Sequence, residues 1–166
     1  YVALKDFGKA EEALGKSMQL KPEQTEIFKA LSDVAYAKGD NVQSIKLLED
    51  FIAKSEQVDL TDYYELTKKY DAVVKSAEGD AKIELAKKED AVFAAMLEKY
   101  PGKLLVYIYY KRAQLNNMTD ETGLASVPYY EKLVEAAIAE DPVKHKATIN
   151  QIAKKLSLHF ASVGDT

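Results

Sequence analysis

A segment near the start of the chain repeats with a period of 34 residues. Three positions recur one period later: Asp6 as Asp40, Ala10 as Ser44 and Leu14 as Leu48. A helix, a turn and a second helix fit within one period, and a fixed period of this length is typical of proteins that stack similar helix pairs. Such proteins bury apolar side chains between neighbouring helices rather than in one closed core. The period therefore predicts an all-α architecture of paired helices.

Composition and charge narrow the possible functions. The chain has 166 residues, of which 47% are hydrophobic and 30% charged, as in an ordinary folded protein. It has no cysteine, which excludes disulfides and thiolate metal sites. The formal net charge is −4, and lysines alternate with acids. The sequence therefore lacks the basic block that would predict a nucleic-acid partner. The longest apolar run, residues 104–110, is too short to span a bilayer, and we expect no membrane insertion.

Apolar residues recur with the period of a helix along the whole chain, and no segment alternates with a period of two as a strand would. The predicted helices cover residues 9–21, 26–38, 42–54, 62–77, 82–100, 103–116, 124–140 and 144–163. We expect Pro22 to end the first helix and Thr25 to cap the second. Gly39 should end the second helix in a left-handed conformation. Residues 78–80 and 118–123 are expected to be turns.

The predicted helices align on one another in two sets. The second helices of the pairs share the spacing 4, 3 and 5 in Ala10, Leu14, Ser17 and Pro22; Ser44, Leu48, Phe51 and Glu56; Glu89, Phe93, Met96 and Pro101; and Tyr130, Val134, Ala137 and Pro142. The first helices align through Phe28, Leu31 and Ser32; Tyr63, Leu66 and Thr67; and Ala153, Leu156 and Ser157. We expect the small residues Ser32, Thr67 and Ser157 to lie where the helices of a pair cross closely.

This pattern resembles the tetratricopeptide repeat (TPR) family, which combines a small residue in the first helix, a Gly-Asp turn and a terminal proline. The resemblance is close for residues 1–58, and the later units are longer and less regular. It implies an all-α, right-handed α-solenoid of antiparallel helix pairs that forms one domain over residues 1–166. The implied units are 1–24 (incomplete), 25–58, 59–102, 103–142 and 143–166 (incomplete), so the sequence is expected to be a fragment.

Some features depart from the family's pattern. Arg112 stands where the family usually has leucine, and Glu56 stands where it has the terminal proline. The irregular later units, with one arginine against 22 lysines, resemble divergent repeat proteins common in Bacteroidetes and predict a bacterial protein. Neither an initiator methionine nor a signal peptide is present, so any targeting segment is expected upstream, and cytoplasmic and periplasmic locations both remain open.

In the resembled family, peptides lie in a concave groove lined by the first helices of the pairs. The resemblance places seven residues in this groove: Lys29, Asp33, Tyr36, Tyr64, Lys68, Tyr110 and Gln114. Tyr107 joins them because it belongs to a tyrosine-rich segment beside Lys111 and Arg112, and tyrosine and arginine are frequent at binding hot spots. Tyr109 and Tyr130 are instead expected to pack between helices. The acid Asp33 argues against the family's clamp for acidic C-terminal peptides.

Neither a catalytic motif nor a metal-binding motif accompanies these residues. The sequence lacks a Gly-x-Ser-x-Gly elbow, a phosphate-binding glycine loop and a zinc motif. His145 and His159 have no metal-type spacing to acids and are expected to be structural. We therefore expect a non-enzymatic scaffold without a cofactor that binds a partner protein or peptide. Two alternatives remain: an assembly subunit that stacks end to end as a homo-oligomer, and an accessory protein whose tyrosine-rich fourth unit binds a ligand.

Overall fold

A computed structural model describes residues 6–21 and 24–163, and every regular element in these residues is helical. The eight α-helices are α1 (Phe7–Leu20), α2 (Glu26–Lys38), α3 (Asn41–Lys54), α4 (Leu60–Ser76), α5 (Gly79–Lys99), α6 (Leu105–Thr119), α7 (Val127–Glu140) and α8 (Lys146–Val163). A short 3-10 helix, Leu124–Ser126, precedes α7. The predicted all-α class is confirmed, and helices adjacent in sequence pack against each other from α1 to α4 and from α6 to α8. Pro22 lies outside the described residues. So do both chain ends, on which the prediction that the sequence is a fragment depends.

Several helix ends follow the local sequence. Gly39 has φ 86° and closes α2, a conformation that glycine adopts without steric strain. The side chains of Asp6, Asp40 and Asp59 accept backbone N–H groups at the starts of α1, α3 and α4. Thr25 occupies the predicted N-cap position of α2, but its side chain makes no capping hydrogen bond.

Two predicted turns are wrong in extent. α5 already begins at Gly79, where Asp80 places an acid in the first helical turn and so favours the start of a helix. α6 continues through Met118 to Thr119. Side chains of its last turns satisfy carbonyl groups of the same helix, because Asn116 Nδ2 donates to Arg112 O at 2.9 Å and Thr119 Oγ1 donates to Asn116 O at 3.1 Å. Polar residues thus lie within this helix instead of ending it.

The crossing expected at Ser157 in the last helix has no counterpart among the described residues. Ala153 and Ser157 are exposed. Ile152 is buried, and Leu156 packs against the same apolar cluster. Ile152 and Leu156 stand four positions apart and therefore share one helix face. The large apolar residues, rather than the small ones, decide which face of α8 meets its neighbours.

The chain divides into two compact units, Tyr1–Leu85 and Ala86–Thr166, with the boundary inside α5. In the first unit α2 packs against α1 and α3, and α3 also packs against α4. Ser32 of α2 and Ser44 of α3 are fully buried where their helices cross. Each hydroxyl donates to the backbone carbonyl of the other residue, at 2.7 and 2.8 Å. The small residue expected at this crossing is confirmed.

In the second unit α6 packs against α7, and α7 packs against α8. A buried cluster joins the three helices through Ala113, Tyr130, Leu133 and Ile152. Tyr109 is half-buried against this cluster, so the packing roles expected for Tyr109 and Tyr130 are confirmed.

Candidate functional site

A cleft of about 210 Å³ lies between α2 and α4 in the first unit. It is lined by Asp33 and Tyr36 of α2 and by Glu65, Lys68 and Lys69 of α4. Three of these residues, Asp33, Tyr36 and Lys68, belong to the predicted groove. Two acids and two lysines line the cleft, so its formal charge is balanced.

Lys69 is the functional candidate that the sequence analysis missed. The residue is only 7% exposed. Its ammonium donates a hydrogen bond to Ser44 Oγ at 2.9 Å and lies 4.4 Å from the centre of the Tyr36 ring. Burial lowers the pKa of Lys69, although the charges of Asp33 and Glu65 oppose this effect. The signal in the sequence is a lysine three residues after the buried Leu66, which interrupts the apolar face of α4.

Lys29 and Tyr64, also predicted in the groove, do not line this cleft. The ammonium of Lys29 lies 2.5 Å from Asp62 Oδ1 and so ties α2 to α4. The hydrogen bond with Asp62 raises the pKa of Lys29. The Tyr64 ring centre lies 5.1 Å from the ammonium of Lys68, so Tyr64 flanks the cleft behind a lining residue.

A larger cleft, of about 440 Å³, lies in the second unit between α6 and α8. Its lining comprises Leu104, Val106, Tyr107 and Tyr110 on one side and Glu140, Lys144, His145, Thr148 and Gln151 on the other. One wall is therefore apolar and aromatic, and the opposite wall is polar. The structure brings the predicted residues Tyr107 and Tyr110 together here. Gln114 stands behind them and donates a hydrogen bond to the Tyr110 hydroxyl at 3.0 Å.

The polar wall of this second cleft is held together at the corner between α7 and α8. Glu140 Oε1 lies 2.6 Å from Lys144 Nζ and 3.2 Å from His145 Nε2. The hydrogen bond from Lys144 and, after it, the nearby His145 lower the pKa of Glu140. Asp141 Oδ1 accepts the backbone N–H groups of Val143 and Lys144, and these bonds lower the pKa of Asp141. The acid that lines the cleft is thus already engaged by two neighbouring side chains.

The rim of the second cleft contains a strained residue. Leu104 has φ 54° and is the one non-glycine residue with positive φ in the described part of the chain. A left-handed conformation is sterically costly for a residue with a branched side chain. Leu104 is also 46% exposed. Backbone strain of this kind is frequent at functional sites.

Arg112, singled out with the tyrosine-rich segment, does not line either cleft. Its guanidinium donates to both carboxylate oxygens of Asp90, at 2.8 and 2.9 Å. It also lies 4.5 Å from the centre of the Tyr129 ring. Arg112 therefore has a packing role inside the second unit.

Residues 6–21 and 24–163 contain neither a candidate metal site nor a candidate membrane-spanning helix. No group of three or more His, Cys, Asp or Glu side chains is arranged there to hold a metal ion. None of the helices described is both long enough and apolar enough to cross a membrane. Models of known protein families do not match the chain, and neither do curated proteins. A functional proposal therefore depends on the geometry of the two clefts.

Proposed function

We propose that the chain is a TPR-type interaction module, a non-enzymatic right-handed α-solenoid that binds a partner protein or peptide between alternate helices. One observation carries this proposal: each compact unit has a cleft between alternate helices, α2 and α4 in the first and α6 and α8 in the second. Five residues of the predicted groove line these clefts, namely Asp33, Tyr36, Lys68, Tyr107 and Tyr110.

The cleft residues favour an extended peptide as the partner. Tyr36 is 50% exposed and Tyr110 is 39% exposed, and each offers a fairly rigid aromatic surface with a polar tip. Lys68 and Glu65 supply both signs of charge in the first cleft. Asp33 is largely exposed beside them and would repel a strongly acidic segment. The matching partner is therefore a peptide with aromatic or aliphatic anchors and mixed charge.

Peptides selected from a random library displayed on phage, with the folded chain as bait, provide a probe for this proposal. We expect Tyr110→Ala to weaken a peptide bound in the second cleft by about 1–2 kcal/mol, because it removes exposed aromatic contact area. Lys68→Glu should lower the affinity for a peptide bound in the first cleft, because the cleft lining would then carry three acids and one lysine. Calorimetric titration measures the affinities, and circular dichroism checks that helicity is unchanged.

Each cleft variant has a matched control outside the clefts. Met118→Ala truncates another exposed apolar side chain of α6, and Lys46→Glu makes the same charge change on an exposed residue of α3. Both controls should leave the affinity of the selected peptides within about 0.5 kcal/mol of the unmodified chain. The proposal is wrong if the controls weaken binding as much as the cleft variants do, or if no peptide is selected.

Ligand binding by the second unit is a second candidate function. The volume of about 440 Å³ falls within the usual range for small-molecule sites, and two tyrosines form part of the wall. Glu140, the acid of the lining, is already paired, which favours binding over catalysis. In a fragment screen followed by NMR, the amide shifts that change should cluster around Tyr107 and His145. Shifts that are scattered over both units would contradict this second function.

A further inference from the structure

The contacts of Lys69 are unusual for a buried cation. Its side chain is 8% exposed, and its nearest carboxylate oxygen, Asp33 Oδ1, is 3.8 Å away, beyond hydrogen-bonding distance. The hydrogen bond that the ammonium makes at 2.9 Å goes to a neutral hydroxyl, that of Ser44. An ammonium group has three donors, and buried charges are normally paired with an opposite charge. Among the described residues, the ammonium of Lys69 therefore makes no direct hydrogen bond to a carboxylate.

Lys29 shows the contrasting case within the same unit. Its ammonium lies 2.5 Å from the buried carboxylate of Asp62, and Glu65 lies 3.8 Å away. That pairing raises the pKa of Lys29, whereas burial lowers the pKa of Lys69. Lys29 thus serves as a structural cation held by a direct carboxylate contact, whereas the carboxylate nearest to Lys69 lies 3.8 Å away.

Lys69 also lines the cleft between α2 and α4. The groups that face it are Asp33 and Tyr36 from α2, Ser44 from α3, and Glu65 on its own helix. Tyr36 is 50% exposed and also lines this cleft. A small molecule that enters the cleft therefore meets the Lys69 side chain beside the Tyr36 ring.

We propose that Lys69 is a covalent modification site, at which small activated acyl donors that enter the α2–α4 cleft acylate the side-chain nitrogen. The donors belong to the class of anhydrides, acyl phosphates and thioesters. The neutral amine uses its lone pair to attack the carbonyl carbon, and a carbon–nitrogen bond forms. The bond to the leaving group breaks, the leaving group departs with its electron pair, and the nitrogen releases a proton to water.

Lysines become nucleophiles when a buried environment favours the neutral amine. Burial has this effect on Lys69, against the opposing charges of Asp33 and Glu65. Lys68, the preceding residue, lines the same cleft but is exposed. The two neighbouring lysines therefore differ in burial and partners while they share the same access route.

Acylation would change the charge of the cleft. The unmodified lining has two lysines and two acids. Conversion of Lys69 to a neutral amide leaves Lys68 alone against Asp33 and Glu65, so the cleft becomes net acidic. The modification would also remove the cation next to the Tyr36 ring. Its chemical consequence is a cleft that disfavours acidic ligands.

Competitive labelling with acetic anhydride tests this proposal without any binding partner. The folded chain is exposed to a trace of isotopically heavy anhydride between about pH 6 and pH 10, then unfolded and fully acetylated with the light reagent. Mass-spectrometric fragment ions separate Lys68 from Lys69. We expect Lys69 to react several-fold faster than Lys68 at pH 7.5, and the two rates to converge in denaturant. The proposal is overturned if Lys69 reacts more slowly than Lys68 at every pH, because burial then only blocks the reagent.

A second measurement tests whether the cleft sets the reactivity. Asp33→Asn removes the nearest carboxylate, so it should raise the labelling rate of Lys69 at pH 7.5 more than that of Lys68. Asp50→Asn, which removes an acid paired with Lys54 on α3, should leave the Lys69 rate unchanged. A Lys69 rate that does not respond to Asp33→Asn in a folded variant would contradict the proposal. Because this readout is independent of peptide binding, it can fail while the proposed interaction function holds.

Discussion

Arg112 stands where the resembled family usually has leucine, and it forms an ion pair with Asp90. The guanidinium meets the carboxylate through two hydrogen bonds, at 2.8 and 2.9 Å, and the two side chains are only 14% and 18% exposed. Burial opposes the charged form, but the hydrogen bonds and charge of Asp90 outweigh it and raise the pKa of Arg112. The planar fork of arginine matches a carboxylate in this way, and lysine would not replace it.

Removal of one member of this pair should be costly. We expect Asp90→Ala to lower the free energy of unfolding by about 2–4 kcal/mol, because it leaves the charge of Arg112 largely buried and unpaired. The double variant D90L/R112L should regain most of that loss, since an apolar pair needs no desolvation of charge. Urea denaturation measures both. Glu12→Ala, which breaks the exposed pair with Lys16, is the control and should cost less than about 1 kcal/mol. A double variant as unstable as Asp90→Ala would contradict this account.

At the scale of the helix, two glycines should respond to the same substitution with opposite signs. Gly39 has φ 86° at the end of α2, so Gly39→Ala should destabilise the protein by about 1 kcal/mol. Gly15 lies within α1, and nothing stands within 4 Å of an added methyl group, so Gly15→Ala should stabilise by up to about 1 kcal/mol. The urea midpoints of the two variants check this, and shifts of equal sign would show that the backbone does not decide the effect.

The carboxylate that caps the start of α4 should make the free energy of unfolding depend on pH in the acidic range. Asp59 Oδ1 accepts the backbone N–H groups of Asp62 and Thr61, at 3.1 and 2.7 Å, and these bonds lower the pKa of Asp59. A carboxyl with a lowered pKa in the folded state stabilises above its ordinary pKa of about 3.9, and the contribution is lost as the pH falls through the folded value. Asp59→Asn keeps an acceptor but does not titrate.

We therefore expect the unfolding free energy of Asp59→Asn to fall less steeply than that of the unmodified chain below about pH 4. Urea denaturation at a series of pH values measures the difference between the two. Asp50→Asn provides the control, since Asp50 caps no helix. Parallel pH curves for Asp59→Asn and the unmodified chain would contradict a capping contribution.

The helices themselves could be predicted because their apolar periodicity and the left-handed glycine at position 39 are local properties of the sequence. The extension of α6 to Thr119 could not, because hydrogen bonds from Asn116 and Thr119 to carbonyls of the same helix override a polar composition. Of the candidate site, Tyr36 and Tyr110 could be placed by helix alignment, and the structure puts both at clefts. The burial of Lys69 depends on the crossing of three helices, which no single helix pattern reveals.

At the scale of the whole molecule, each compact unit has a buried core of its own. Leu48 is 1% exposed in the first unit, and Leu133 is fully buried in the second. In stacked-repeat proteins each segment contacts mainly its neighbours, so stability is approximately a sum of local terms. This property distinguishes the proposed solenoid from a protein with one shared core.

Core truncations in the two units should therefore act independently. Leu48→Ala and Leu133→Ala should each lower the unfolding free energy of their own unit by about 2–5 kcal/mol, because each leaves a cavity in a buried core. Hydrogen exchange should show faster exchange in α2–α4 for Leu48→Ala and in α6–α8 for Leu133→Ala. The double variant should show the sum of the two effects to within about 0.5 kcal/mol. If either single variant accelerates exchange equally in both units, the chain unfolds as one cooperative body, and the local unfolding expected of a stacked repeat is excluded.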